Sequence, residues 1–450
     1  MSSAAPAAAV AERPLPAQAA SPAAAAAPAV VVAVAGAAAP AAPTTTAAAA
    51  AAAKAQAAPP PTPITSRVHA RVGLLGNPSD GFGGKTISFS LANFWAEATL
   101  TPLPRGAGVR FAPHPVHDAP AHASVAALRR RVEGQGYYGG LRLLTATVKR
   151  FAEECERRGI PLRRPDDDDD DDAAGGGAGV ATTQEEEGEQ AGDFELAYDS
   201  NIPRQAGLSG SSGIVCAALN CLLRYYRVPG EALPLRDRPE LVLSAERELG
   251  ITAGLQDRVI QVYGGLVYMD FGRGGGGAEA AEAGAGAAAA PAKGAAAAPA
   301  YERLGPALLP RLWLIYADNP SDSGRVHADV RARWDRGDAA VREGMAQVAA
   351  LAAEGRRALE ASDAPALARL MDRNFDLRRA IFGDAALGAE NLRMVATARS
   401  VGAAAKFTGS GGAVVAFCPQ GEAQEEALRE ACAAAGFVAV RAEVGAENHL

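Results

Sequence analysis

The residues best suited to chemistry form one segment, Pro203-Arg204-Gln205-Ala206-Gly207-Leu208-Ser209-Gly210-Ser211-Ser212-Gly213. Small side chains there let backbone N–H groups approach an anion. The segment runs into Ile214-Val215-Cys216-Ala217-Ala218-Leu219-Asn220-Cys221-Leu222-Leu223, a nearly unbroken apolar stretch that reads as a buried helix with its positive end facing the same anion. The combination is a phosphate cradle. A Gly/Ser loop that merely caps a helix is the competing reading, and the adjacent hydroxyls of Ser211 and Ser212 at the helix entry weigh against it. Gly83-Gly84-Lys85-Thr86 imitates the end of a Walker-type nucleotide loop, but Ser79 stands where that motif needs glycine and no long apolar helix follows, so it is set aside. His327 has no second His or Cys at ligand spacing and reads as a loop histidine.

A cradle needs elements to hold it. Val68 to Gly76 reads as a short strand ending in a Gly-Asn-Pro-Ser-Asp turn, and residues 87–103 alternate apolar and polar in the manner of a strand pair. Apolar positions at three- and four-residue spacing over 122–160, from Val125 and Leu128 to Phe151, predict one or two amphipathic helices. Strand signals recur at Leu266-Val267-Tyr268-Met269 and at Leu312 to Tyr316. Helical patterns follow over 338–362 and 364–380, then a Gly-rich strand region at 406–418 and a helix-strand pair over 422–444. This is an α+β layout, and no internal repeat argues for a solenoid or propeller.

Composition divides the chain. Residues 1–65 are nearly all Ala, Pro, Val and Thr and are expected to be a disordered tail. Residues 66–272 are expected to form a first lobe, interrupted at 165–193 by a disordered Gly- and acid-rich insert, and residues 301–445 a second lobe beyond a Gly/Ala linker at 273–300. Of the formal charge of −7, much lies in the run Asp166 to Asp172 and the glutamates after it, which argues against a nucleic-acid partner. The five cysteines lack metal-ligand spacing and read as reduced, buried side chains. Ala29 to Ala39 is too short to span a bilayer, which takes roughly 20 apolar residues, so no membrane association is expected. The tail is acid-poor like an organellar transit peptide but carries only Arg13 and Lys54 as basic groups; a cytoplasmic enzyme is expected, with plastid targeting left open.

The loop at 203–213 resembles the phosphate-binding motif of the GHMP kinases, Pro-x-x-x-Gly-Leu followed by a Ser-Ser pair. Two companions occur in the same chain order: Arg71-Val72-Gly73-Leu74-Leu75-Gly76-Asn77-Pro78-Ser79-Asp80, similar to Arg-Val-x-Leu-x-Gly-Glu-His-x-Asp, and Lys406-Phe407-Thr408-Gly409-Ser410-Gly411-Gly412-Ala413, similar to Lys-Leu-Thr-Gly-Ala-Gly-Gly-Gly. There are two departures. One extra residue separates Gly-Leu from Ser-Ser, and Asn77-Pro78 replaces the Glu-His pair. With the segments at 93–97, 201–205, 254–261 and 319–324, these departures resemble the plant and algal glucuronokinases.

The resemblance implies a two-lobed α+β GHMP kinase fold, with a first lobe like ribosomal protein S5 domain 2 and a ferredoxin-like second lobe, binding ATP, Mg²⁺ and a small sugar acid. The implied reaction is ATP plus D-glucuronate giving ADP plus D-glucuronate 1-phosphate, which feeds UDP-glucuronate synthesis. It makes Asp257, in Gly254-Leu255-Gln256-Asp257, the base and Arg71 the stabiliser of developing charge, and it assigns Pro203 to Gly213 to ATP. Ser212 and Glu246 would hold Mg²⁺, two hard oxygens sufficing for a cation that keeps several waters. Asp80 would read sugar hydroxyls, and Lys406, Thr408, Gly409, Ser410 and Gly411 would serve substrate and phosphate. Residue types allow plainer readings: Asp257 in a surface ion pair with Arg258, Arg71 on a surface strand, Glu246 on an exposed helix, and Asp80 as a turn former. Lys85, Arg204, Arg325, Arg378 and Arg379 are all eligible partners for the uronate carboxylate. Two other functions stay open: an anomeric kinase for galacturonate, arabinose or galactose, and a non-catalytic sugar-sensing homologue.

Overall fold

β-Branched and apolar residues lay down the first strand, β1 (Ile64–Leu75), whose burial changes along its length. Its first half alternates buried and exposed, as in a sheet wetted on one face, while Ala70 to Leu75 are all buried. Arg71 lies in the covered half. The computed structural model describes residues 62–118, 121–135, 139–164, 192–251, 254–272, 300–317 and 328–447. The expectations for most of the tail at 1–65, the insert at 165–193 and the linker at 273–300, and those for Arg325 and His327, lie outside these residues. At their margins the described chain is in place: β1 begins at Ile64 rather than at Ser66, and Asp193 is an ion-pair partner of Arg164.

β2 (Lys85–Pro102) is a single long strand where the alternation suggested a pair. The register to β1 slips between His69 and Ala70, from Trp95 to Leu91, so an irregularity takes the place of a turn. β1 pairs antiparallel along one edge of β2. On the other edge β4 (Phe194–Ser200) pairs with residues 96–102 and β5 (Leu266–Asp270) with residues 85–89. β3 (Val109–Phe111) and β6 (Ala300–Leu304) complete the six-stranded sheet. The chain's C-terminal segment enters between β4 and β5, where Ala92 N donates to Glu443 O (2.7 Å) and Gly445 N to Ser90 O (2.8 Å). Helices α1 (Val125–Gln135), α2 (Leu141–Arg158), α3 (Gly210–Tyr225), α4 (Arg238–Glu248) and α5 (Gln256–Tyr263) accompany this sheet, α3 packing on both β1 and β2. The helical spacing at 125–135 is realised, but Val125 and Leu128 are exposed rather than core.

The second sheet begins with β7 (Leu312–Tyr316), an apolar run buried along almost its whole length. α6 (Ala328–Asp335), α7 (Ala339–Glu360), α8 (Ala364–Phe382), the single turn α9 (Asp384–Leu387) and α10 (Ala389–Ser400) follow, then β8 (Ala404–Phe407), β9 (Ala413–Phe417), α11 (Glu422–Ala434) and β10 (Val438–Arg441). The long helices are started by local chemistry: Asp338 accepts from Ala340 N (3.0 Å) and Val341 N (3.2 Å), and Asp363 accepts from Ala366 N (2.9 Å). Strand order β10-β7-β9-β8, antiparallel throughout, is the 4-1-3-2 arrangement of a ferredoxin-like split β-α-β unit. One apolar cluster joins the two sheets, from Val72 and Phe89 to Leu314 and Val415. All five cysteines are buried, and burial pushes Cys155 up to about 12, Cys418 and Cys432 to about 11, so they are inert thiols. Among the described residues no helix is long and apolar enough to cross a membrane.

Asn374 of α8, 1% exposed, ties the second lobe to the turn after β1: its Oδ1 accepts from Gly76 N (2.8 Å) and its Nδ2 donates to Asn77 O (3.0 Å). Asn374→Ala leaves both backbone groups buried without partners, at about 1–3 kcal/mol each. The variant should therefore unfold several degrees below the wild type in a thermal melt, whereas an unchanged midpoint would show that water replaces the amide there.

Candidate active site

The three sequence motifs converge on one point. Arg71 reaches from the covered half of β1 to Asp257 in the first turn of α5, donating through Nε to Oδ1 (2.6 Å) and through Nη2 to Oδ2 (2.9 Å). Its remaining arm, Nη1, donates to Gly207 O (2.5 Å). Ser209 Oγ donates to Asp257 Oδ2 (2.6 Å), so one carboxylate binds the first strand to the 203–213 loop. Burial alone would raise Asp257, yet the Arg71 guanidinium and the Arg258 charge nearby hold it down at about 2. It is ionised at any physiological pH.

The helix that follows the loop is left open for an anion. Ser209 is the residue before α3, but its hydroxyl is engaged with Asp257 and no side chain caps the helix. The first intrahelical bond runs from Gly213 N to Ser209 O (3.1 Å), so the N–H groups of Gly210, Ser211 and Ser212 precede the ladder and point out of the helix end. Gln205 and Ser209 hold positive φ (58° and 63°), a shape that curls the loop around this end. Pro203, Arg204, Ala206 and Leu208 frame it, the last two buried.

Glycine is required where the motifs touch. Gly207 has φ 62°, and a Cβ there would collide with the carbonyl oxygen of Gly411. Gly73 N donates to Thr408 O (2.8 Å), a backbone approach that a side chain at position 73 would block. Lys406 is fully enclosed. Its ammonium donates to Gly73 O, Asn77 Oδ1 and Phe407 O, each at 2.7 Å, which uses all three of its hydrogens inside the protein. Burial lowers its pKa well below the usual lysine range. Thr408, also buried, donates to Ala413 O (3.3 Å). Both side chains lock the Gly409-Ser410-Gly411 loop against β1, and no donor of Lys406 remains for a phosphate.

Asp80 ends the turn after β1 and accepts from Gln256 N (3.4 Å). Burial first, then the neighbouring charge of Asp257, pushes it up to about 6. The two carboxylates of the site thus differ sharply in acidity, because one is held bidentately by Arg71 and the other meets only backbone N–H groups, of Gln256 and Gly81.

Ser212 Oγ lies 3.0 and 3.1 Å from the two oxygens of Glu246, and Ser211 Oγ donates to Glu246 Oε1 (2.8 Å). Glu246 is wholly buried in α4, not on an exposed helix face. The hydroxyl and the carboxylate are close enough to ligate one cation together, with phosphate oxygens and water to complete the shell. Sequence reasoning missed the residue that holds Glu246 in place. Arg258, 1% exposed, donates through Nε to Glu246 Oε2 (2.6 Å) and contacts it again through Nη2, while standing 3.7 Å from Asp257 Oδ2. Asp257 and Arg258 are thus within ion-pair reach, but inside the protein rather than at its surface; the hydrogen bonds of Arg258 go to Glu246 and those of Arg71 to Asp257. Asn374 and Asn391 (accepting from Gly412 N, 2.8 Å) were likewise unassigned, since nothing in local spacing marks them, whereas Ser209 was placed in the ATP loop and Arg378 among the eligible carboxylate partners.

An uncapped helix end, a buried hydroxyl-carboxylate pair and an ionised aspartate clamped by arginine, set between a β-rich lobe and a ferredoxin-like lobe, define a phosphotransferase of the GHMP kinase class. Family models agree in two parts: GHMP kinases N terminal domain over residues 178–265 and GHMP kinases C terminal over residues 356–436. The fold is shared with the L. major mevalonate kinase crystallised with R-mevalonate (TM-score 0.54, 16% identity, 86% of this chain and 98% of that one). In sequence the chain is 48% identical over 373 residues to probable glucuronokinase 2 of Arabidopsis thaliana (83% of this chain, 89% of that protein) and 47% identical over 374 residues to glucuronokinase 1 of the same plant (83% and 90%). The chain belongs to the GHMP kinases and, within them, to the glucuronokinase family.

Arg258→Met tests the buried pair. With its partner removed, Glu246 is an uncompensated charge in the core, which costs about 3–5 kcal/mol. The variant should melt far below the wild type, and Arg258→Met/Glu246→Gln should regain most of the loss; absence of that recovery would show that the arginine acts elsewhere.

Proposed function

We propose that the protein transfers the γ-phosphoryl group of ATP to the anomeric hydroxyl of D-glucuronate, giving D-glucuronate 1-phosphate for UDP-glucuronate synthesis. The observation that carries this reading is the Arg71–Asp257–Ser209 clamp seated against the open N-terminus of α3. The uronate substrate is supported by the identity to the two Arabidopsis proteins.

Phosphoryl transfer asks a protein chiefly for position and charge. The N–H groups of Gly210, Ser211 and Ser212 receive the polyphosphate, and the helix end supplies positive potential. Gly409, Ser410 and Gly411 close the opposite side, with Lys406 and Thr408 fixing that loop. Asp80 accepts from the sugar hydroxyls. Oδ2 of Asp257 is engaged by Arg71 and Ser209, whereas Oδ1 accepts one bond and keeps a lone pair for the C1 hydroxyl. As the new O–P bond forms and the bond to ADP breaks, the C1 proton passes to Oδ1. A carboxylate held at about 2 is a weak base, which suits a loose transition state in which the proton leaves late. Arg71 steadies the charge on Asp257 and on the transferring group. Ser212 and Glu246 would hold Mg²⁺, which neutralises phosphate charge when bound. The proposed partners are ATP and a sugar acid, and the proposed compartment is the cytoplasm, with plastid targeting left open.

ADP release with Mg²⁺ and a panel of glucuronate, galacturonate, galactose and arabinose tests substrate and base together. Glucuronate should be the preferred acceptor, and Asp257→Asn should lower kcat by about 10²–10⁴-fold with little change in nucleotide binding. Preferred turnover of another sugar would replace the substrate; sugar and ATP binding with no turnover would make the protein a sensor.

The acidity of Asp80 sets a pH limb. A carboxyl raised to about 6 holds its proton more tightly folded than unfolded, so its contribution to stability is present at low pH and fades as pH rises through about 4 to about 6. Catalysis runs the other way, because protonated Asp80 loses its charge as an acceptor. In wild type kcat/KM should fall about tenfold per pH unit below about 6. Asp80→Asn should be slow throughout and lack that limb, and an unchanged limb would place the titration elsewhere.

A further inference from the structure

Phosphoryl transfer gives no task to Arg378, yet its guanidinium lies inside the site. It stands one helical turn beyond Asn374 on α8, on the face that holds the 76–80 turn, and is 2% exposed. Nη1 donates to Gly409 O (2.7 Å) and Nη2 to Ser410 O (3.2 Å), while the buried Nε has no partner. The plane lies near the rings of Phe407 (5.1 Å) and Phe382 (5.3 Å), which hold it in place. Among the described residues no carboxylate forms an ion pair with it. The charged groups that face it are Asp80 on the turn after β1, Arg71 on β1 and Lys406 on β8.

A buried guanidinium with an orphaned N–H and no counter-ion is unfavourable unless something completes it. Burial draws Arg378 down to about 10, still charged at neutral pH. Two anions enter this site in the proposed reaction. The polyphosphate has its own receptor at the start of α3, beside Ser211, Ser212 and Glu246. Arg378 lies with Asp80, on the sugar's side, where the remaining anion is the C6 carboxylate. The other eligible cations fit less well. Lys85 is 41% exposed and paired with Asp270 (3.4 Å), and Arg379 is bidentate with Asp384 on the surface (2.5 and 2.7 Å). Arg204 stands at the head of the phosphate loop, near His117 and Tyr198. Arg325 lies outside the described residues.

We propose that Arg378 is the specificity residue that receives the substrate carboxylate, selecting a sugar acid over a neutral sugar. The assignment rests on D-glucuronate, or another uronate, being the substrate. A forked, permanently charged donor is suited to a carboxylate, and a lysine in its place would keep charge but lose the fork.

The test compares D-glucuronate with its uncharged amide, D-glucuronamide, on the full chain as wild type, Arg378→Gln and Arg378→Lys. Wild type should prefer glucuronate by about 100-fold in kcat/KM, mostly through KM. In Arg378→Gln that preference should collapse to about threefold or less, because glucuronate loses its partner while the amide is turned over at nearly the wild-type rate. A residue that only braces the 409–410 loop would slow both acceptors alike and leave the preference intact, which overturns the proposal. If Arg378→Gln fails to fold, Arg378→Lys decides: a KM for glucuronate raised about tenfold with the amide unaffected supports the assignment, and equal losses overturn it. Wild type that turns over neither compound removes the uronate reading and this assignment with it; wild-type preference for glucuronate that survives in both variants removes this assignment alone.

Discussion

The site depends on keeping a carboxylate ionised where water is scarce. Asp257 is partly buried, and desolvation by itself would favour its neutral form. The bidentate contact with Arg71 reverses that preference, and this one interaction also dictates much of the architecture. Arg71 must come from a strand covered on both faces, so that its guanidinium has a fixed direction. Its third contact, to Gly207 O, means that the phosphate loop cannot move without disturbing the aspartate. Gly207 in turn lies against Gly411, so the second lobe is tied to the same point.

Three carboxylates in one site, Glu246 buried and Asp80 and Asp257 partly so, are tolerable because each meets a different balance of charge. Asp257 has Arg71, Glu246 has Arg258, and Asp80 has only backbone N–H groups of Gln256 and Gly81. The first stays ionised, the second is ion-paired with Arg258 in the core, and the third is raised to about 6. Their chemistry follows from partners rather than from residue type, which is how one fold keeps an aspartate for proton transfer and another for hydroxyl recognition without the two interfering.

The three motifs were legible because each is a local run in which glycine, hydroxyl and charged residues stand at fixed offsets, and the strands and helices around them follow from periodicity. β7 and the pair α7–α8 fall almost where the apolar patterns put them. What was hidden is non-local. Arg258 sits beside Asp257 in sequence and looks like its partner; only the packing of α4 against α5 shows that it turns to Glu246. Val125 and Leu128 have helical spacing, but spacing cannot say whether a helix face meets a core, and theirs is exposed. β2 continues through a register slip where alternation suggested a break, because both of its edges are occupied along the way. Lys406 reads as a phosphate cation from its motif, yet its three hydrogens are committed to Gly73, Asn77 and Phe407.

Asn77 connects that last point to the electrostatics of the sugar side. The motif it belongs to resembles one with glutamate at this position, and a glutamate facing Lys406 would form a buried ion pair that keeps the lysine charged. Asparagine offers only a neutral oxygen (2.7 Å), so burial acts on Lys406 unopposed and lowers it. The exchange thus removes a negative charge from beside Lys406, whose ammonium is left with neutral oxygens for all three of its hydrogens. Arg378, which forms no ion pair among the described residues, then stands on that side as a cation without a bonded carboxylate, with Asp80 as its charged neighbour. A substrate bearing a carboxylate brings the missing charge itself, whereas in a site that already held an ionised glutamate it would meet repulsion.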